Sequence, residues 1–511
     1  MKSVGLRFKI ILLFLFLVVL SHTVSLRQSR THLLEDESTF SNINDVQTKH
    51  FDLEINLDFD NNLIYGTQTL HMVIQRDSVS TVYLDISDIE IRRVVNEEGT
   101  DLHFEITTGI NDEIGQRLDI ELVNSVSTDS EIILVIDYVT SSSPSAVSWL
   151  TPEQTAGGLH PYMYTQCESI HCRSIAPLQD TPAIKATYTL YTQSPVAIVV
   201  RASGNVTEEY IEGGRRHSRF EMNVPVPAYL LAIAAGNLVE RQLGERTFVI
   251  TEPELIDISS RELTQLEDAL NAAESYITPY DWGVYKVLML PPSFPYGGME
   301  NPLLTFANSG LITGDGSSFR LFVHELSHSW FGNLVTNENW SNFWLNEGFT
   351  VFLERKTDSI LFGIDSSKVS AQLGNSSMVL QIEQFGPTNN YTSLHPNLNG
   401  NHPDSSISGI PYEKGFQFLT YLESIIKEDN FQSFLQSYVT QFSRHSLNVE
   451  DFIAYFIAFV DNTFNSEDDR AIIDEVSHID WDTWIYEPGY PPVNVDLDTD
   501  SYYEAMSIAH H

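Results

Sequence analysis

Cysteine is nearly absent from this 511-residue chain: Cys167 and Cys172 are the only two, both in the segment Gln166-Cys167-Glu168-Ser169-Ile170-His171-Cys172. A small secreted fold stapled by disulfides is therefore excluded, and the two thiols are either free or joined in one local bridge. His171 between them lets a Cys/His metal site be drawn, but the spacing fits no common zinc pattern. Basic residues are scarce too, with 28 Lys and Arg against 69 Asp and Glu and a net charge of −41. So acidic a chain argues against nucleic acid or anionic lipid as a partner. It would draw in cationic peptides, although solubility explains the charge equally well. Internal repeats are missing, and no long apolar run follows the first 25 residues.

Those first residues form a separate device. Lys2, Arg7 and Lys9 precede the apolar run 10–20 and the small, polar stretch 21–25. Such an order predicts a cleaved signal peptide over 1–25 and a route into the secretory pathway, ending outside the cell or in an endolysosomal or vacuolar lumen. Eleven apolar residues span about 16 Å as a helix, short of the roughly 30 Å hydrocarbon core, so membrane association is not expected after removal. On that route Asn205, Asn339, Asn375 and Asn390, which open Asn-x-Ser/Thr sequons, become candidate glycan sites, with Asn339 expected to be buried and unmodified.

At this length two or three domains are expected. After a linker over 26–47, residues 48–243 show period two: Phe51, Leu53, Ile55, Leu57 and Phe59 alternate with polar residues, and similar runs recur at 66–75, 81–86, 131–139 and 186–192. Asx, Gly and Ser clusters separate them, which predicts an antiparallel β domain. From 244 to 492 helical spacing takes over, with helices expected at 262–277, 319–334, 343–358, 413–428, 431–443 and 451–460 and one strand at 285–290. Residues 493–511 read as an acidic tail. The fold class expected is multidomain α+β.

The chemistry starts at His324-Glu325-Leu326-Ser327-His328. On a helix, residues four apart share a face, so both imidazoles can reach one ion while Glu325 projects toward a water on it. Trp344-Leu345-Asn346-Glu347-Gly348 follows on the next expected helix, with eighteen residues between His328 and Glu347. Two His and one carboxylate leave a coordination position open, the mark of a catalytic zinc site, and Glu325 is placed to take a proton from the water that zinc acidifies. About two dozen residues earlier stands Tyr296-Gly297-Gly298-Met299-Glu300-Asn301, whose glycines admit a substrate backbone and whose Glu300 brings a carboxylate near the metal.

In these motifs together the chain resembles the gluzincin aminopeptidases of peptidase family M1, and within them the leukotriene A-4 hydrolase and aminopeptidase B branch. Residues 291–301, 343–348, 411–416 and 178–182 carry the likeness, which covers roughly 45–495. The resemblance implies a saddle-like N-terminal β domain, a thermolysin-like and mostly helical zinc-peptidase domain, one Zn2+ per chain, and peptides with a free N-terminus as substrates. It assigns the substrate's amino group to Glu300, with Gln166 and Glu168 helping to hold it. It gives Tyr412 the stabilisation of the tetrahedral oxyanion and places Asp404 at the inner cavity.

Departures accompany the likeness. Leukotriene hydrolases carry a second tyrosine five residues before the one matching Tyr412, where this chain has Ile407, and they have Gln where it has Glu168. The family's helical C-terminal domain has no counterpart here, since the likeness stops near Pro492. The leading expectation is hydrolysis of the N-terminal residue from peptides. The alternatives are epoxide hydrolysis of the leukotriene A-4 type and a peptide-binding relative without turnover.

Overall fold

In the strand Val46–Asp58, Phe51, Leu53, Ile55 and Leu57 are buried while the residues between them face outward, so one face must meet a core. It lies within a seven-stranded sheet whose neighbours run Asn205–Glu212, Arg215–Pro227, Lys185–Pro195, Val46–Asp58, Leu63–Ile74, Glu131–Thr140 and Ile89–Asn96. Every pairing is antiparallel except that of Val46–Asp58 with Lys185–Pro195, which is parallel with Leu53 opposite Leu190. The intervening chain supplies the crossover such a pair needs. The structure, a computed structural model, describes residues 33–509. The leader expected over 1–25 lies outside the described residues.

A four-stranded sheet follows the order Val199–Ala202, Ile233–Gly236, Tyr162–Thr165 and Val147–Leu150, with the last two strands coming from that crossover and the first two from the chain after Lys185–Pro195. All four residues of Tyr162–Thr165 are buried, and the loop leaving it holds Gln166 and Glu168. Arg173 pins that loop from inside. Its guanidinium is buried, 3.1 Å from Asp180 Oδ2, and donates to the carbonyls of Ile114, Ser38 and Asp180 at 2.7, 2.8 and 2.9 Å. A buried guanidinium with its donors this fully used is rigid, and stripping it away would strand Asp180.

The second half opens on a five-stranded sheet in the order Val239–Gln242, Thr247–Thr251, Tyr285–Leu290, Thr305–Asn308 and Gly298–Met299. The helices of this half include α1 (Ile256–Glu262), α2 (Leu266–Tyr276), α3 (Phe319–Ser327), α4 (Trp344–Phe362), α5 (Ile364–Phe385), α6 (Ile410–Ile426), α7 (Glu428–Phe442) and α8 (Val449–Thr463), with α1 and α3 packed on the sheet. The helix expected over 262–277 is interrupted after Glu262, whose carboxylate accepts from Thr313 Oγ1 at 3.0 Å and Gly314 N at 2.8 Å and so belongs to a neighbouring loop. The one expected over 319–334 stops at Ser327. There Gly332, at φ +114°, turns the chain into the strand Val335–Asn337, which pairs with His445–Leu447. α5 was not expected at all, and a short helix, Asp500–Ala509, occurs in the acidic tail.

α4 and α6 cross closely. A Cβ placed on Gly348 would lie 2.8 Å from the Cα of Gly415, so only glycine on both helices permits the approach. Around the crossing, Trp344, Phe349, Phe418, Phe434 and Phe452 are buried in one aromatic layer. The crossing matters because Glu347 precedes one of these glycines and Tyr412 lies a turn before the other. Among the described residues, no helix is long and apolar enough to cross a membrane.

Candidate active site

α3 delivers His324 and Glu325, and His328 caps its end in helical geometry. The two Nε2 atoms lie 3.1 Å apart, and each is 3.4 Å from Glu347 Oε2 on α4. The outer ring nitrogens are tied down. His324 Nδ1 is 3.1 Å from Glu354 Oε2, and His328 Nδ1 is 2.9 Å from the Phe331 carbonyl and 3.0 Å from Thr350 Oγ1. A carboxylate and a carbonyl can only accept, so in neutral rings both Nδ1 atoms carry the hydrogen. Two lone pairs then face each other across 3.1 Å, and the buried Glu347 Oε2 that joins them has no hydrogen-bond partner among the described residues. Three converging acceptors with nothing to accept is an arrangement a cation resolves, and two imidazoles with one carboxylate suit zinc.

Where no ion joins them, the carboxylates draw protons onto the rings instead. Burial works against a charged His328, yet Glu300 and Glu347 outweigh it and raise the imidazole to about 9. Burial likewise opposes the charge on Glu347, and the histidines, His328 foremost, hold it down at about 2. Burial pushes Glu325 up to about 8 against the pull of both imidazoles.

Beside this cluster lies a cavity of about 230 Å³ lined by Glu168, Glu300, His324, Glu325, Glu347 and Tyr412, with Gly297 and Gly298 on its wall. A Cβ on Gly298 would fall 2.3 Å from Glu325 Oε1, so a side chain there would displace that carboxylate. Glu300 is buried and Glu168 half-buried, and one carboxylate oxygen of each, like the amide oxygen of Gln166, is buried without a hydrogen-bond partner among the described residues. Burial raises the carboxyls of both glutamates above the usual range, reinforced at Glu168 by its acidic neighbours, Glu300 foremost, and opposed at Glu300 chiefly by His328. Gln166 Nε2 donates to the sulfur of buried Met299 at 3.3 Å rather than reaching across the cavity. The Tyr412 ring stacks on His324 with centroids 5.8 Å apart, and burial with the surrounding carboxylates keeps its hydroxyl protonated.

Asp404 is engaged elsewhere: it accepts from Ser169 Oγ at 2.5 Å and meets His171 Nε2 at 2.9 Å. Ile407 does line the cavity. Sequence reasoning missed Glu354 and Thr350. Glu354 lies seven residues after Glu347, two turns along the same helical face, so its spacing carried a usable signal. Thr350 carried none, since its partner is set by the turn after α3.

This architecture and this cluster together define a class, and comparison with known proteins names it. The peptidase M1 N-terminal domain matches residues 47–230 and the peptidase family M1 domain matches 261–484. The chain belongs to peptidase family M1 and is a zinc-dependent aminopeptidase. It is similar to leukotriene A-4 hydrolase of Xenopus laevis, 39% identical over 91% of this chain and 75% of that one. It is similar also to leucine aminopeptidase 2 of Coccidioides immitis, 38% identical over 90% of this chain and 74% of that one. Among solved structures, yeast leukotriene A-4 hydrolase in complex with bestatin superposes with a TM-score of 0.85 at 35% identity, covering 94% of this chain and 75% of that one.

One expectation is overturned here. Leukotriene A-4 hydrolase and leucine aminopeptidase 2 are typically cytosolic, so the secretory destination drawn from residues 1–25 does not stand. It rested on charge and hydropathy in one short segment, a signal that an apolar N-terminal run gives whatever its fate.

Proposed function

We propose that the chain cleaves single residues from the free N-termini of peptides, with His324, His328 and Glu347 holding the zinc and Glu325 handling the proton of the attacking water. The convergence of two imidazole Nε2 atoms and an unpartnered Glu347 oxygen within 3.4 Å carries this reading. Zinc held there supplies Lewis acidity to the scissile carbonyl and the attacking water. Glu325 takes the proton from water as it attacks and returns it to the departing amine. Tyr412, kept protonated by its acidic surroundings, donates to the developing oxyanion. Glu354 and the Phe331 carbonyl hold the two imidazoles in the tautomer that exposes Nε2.

Glu168 and Glu300 receive the substrate's ammonium, with Gln166 adding its amide oxygen, and Gly297, Gly298 and Met299 form the wall along which the backbone lies. The acceptors left unpartnered in this pocket support that assignment, since an ammonium brings the donors they lack. Asp404 lies outside the cavity lining and reaches the ammonium pocket only indirectly, through Ser169, the residue after Glu168. Ile407 places an aliphatic side chain on the lining, which offers no hydroxyl for epoxide chemistry. The expected boundary between 48–243 and 244–492 falls inside the hairpin of Val239–Gln242 with Thr247–Thr251, so we place the start of the second half just before Val239, with the acidic tail from 493.

The test compares aminoacyl fluorogenic peptides with and without N-acetylation, in zinc-replete protein and after chelation. Release from free N-termini alone, abolished by the chelator, is expected. Equal cleavage of acetylated peptides would remove the ammonium role of Glu168 and Glu300.

A further inference from the structure

A second pair of histidines converges on a carboxylate outside the site just described. His171 Nε2 lies 2.9 Å and His402 Nδ1 3.6 Å from the same oxygen, Asp404 Oδ2, and the histidine ring centroids are 5.1 Å apart. Donor atoms of the three residues fall within 4.8 Å of one another, as do those of His324, His328 and Glu347. The other Asp404 oxygen is occupied by Ser169 Oγ, which leaves Oδ2 turned to the imidazoles. Ser145 Oγ, 3.0 Å from His171 Nδ1, can donate or accept and so orients that ring in either tautomer. The side chains of His171, His402 and Asp404 are 23%, 22% and 34% exposed, so an ion from solvent can reach them.

We propose that His171, His402 and Asp404 form a second cation site, selective for a first-row transition dication of the zinc kind. Two imidazole nitrogens and one carboxylate oxygen suit such ions and disfavour magnesium or calcium, which take oxygen ligands. Two contacts compete: the His171 Nε2–H donates to Asp404 Oδ2 at 2.9 Å and the Asp404 backbone N–H points to His402 Nδ1 at 3.3 Å, and an ion bound through those nitrogens displaces both. Partial exposure and this competition make the site weaker than the buried one.

Its position gives it a consequence. His171 and Glu168 share one loop of the β half, while His402 and Asp404 lie on the segment leading to α6 and Tyr412. An ion there ties the two halves together beside the pocket assigned to the substrate's ammonium.

The experiment uses the full chain loaded with one equivalent of zinc and titrated with Co2+. Zinc and cobalt are counted in the same sample, the visible cobalt bands are recorded, and Tm is followed. One equivalent of cobalt beyond the retained zinc is expected, with a rise in Tm. His402→Asn, which keeps an acceptor for the Asp404 N–H, and His171→Gln are each expected to weaken cobalt binding by on the order of tenfold or more while zinc stays. Absence of cobalt beyond the zinc, or unchanged affinity in both variants, would overturn the proposal. Loss of zinc itself would count against the proposed function and leave the cobalt count readable.

Discussion

Two clusters in this molecule carry the same chemistry, two histidines and a carboxylate, and differ in how they are built. His324, His328 and Glu347 sit on or beside consecutive helices, are largely buried, and have their outer ring nitrogens fixed by Glu354, Phe331 and Thr350. His171, His402 and Asp404 come from loops more than 200 residues apart, are partly exposed, and lean on two serine hydroxyls and each other. Ligand type alone does not separate a tight site from a weak one. What separates them is the fixing of each ring before an ion arrives and the exclusion of water that would compete.

The largest effect that would break this contrast belongs to the buried cluster. Glu347→Ala removes the carboxylate oxygen that both imidazoles share, so zinc content measured after dialysis should fall to near zero and activity with it. A variant that kept its zinc would mean that burial and ring fixing, not the third ligand, hold the ion. Next in size is Tyr412→Phe, which deletes one donor to the oxyanion and should lower kcat by about 10²- to 10³-fold with zinc unchanged. A matching loss of zinc would assign the tyrosine a supporting role for His324, on which it stacks.

A smaller effect concerns the amine end. Glu300→Gln should reduce kcat/KM by about ten- to a hundredfold for free N-termini, the scale of one charge-assisted hydrogen bond. Here pH sharpens the comparison. Burial raises the Glu168 and Glu300 carboxyls above the usual range, with Glu300 adding repulsion at Glu168, so their charged forms are lost as pH falls through those raised values. The acid limb of kcat/KM should therefore lie above the ordinary glutamate range. In Glu300→Gln it should move to lower pH, because Glu168 loses a like-charged neighbour. A limb that does not move would mean that burial alone sets it.

The two clusters also mark how far the sequence could be read. His324 and His328 were legible because helical periodicity converts a spacing of four into a shared face, and Glu347 because eighteen residues suffice for a return. Helix α5 was not, since its buried positions include Ser367, Ala371, Met378 and Ile382 and so give no clear apolar stripe. The early end of α3 was hidden for a similar reason: apolar residues continue through Trp330, Phe331 and Leu334, but they belong to a turn and a strand. The rim cluster was illegible in principle, because only the tertiary fold brings residues 171 and 402 together. Asp404 was placed at the cavity from the family likeness, without any hint of its histidine partners.

The measurement that tests the central claim most directly is turnover and zinc content in Glu325→Gln. Glutamine keeps the shape and the contact with Gly298 but cannot carry the proton. The account predicts that one equivalent of zinc stays bound while kcat falls by about 10²- to 10⁴-fold, the range for loss of a general base. Activity close to wild type in zinc-replete protein would contradict it, because some other group would then have to take the proton from water.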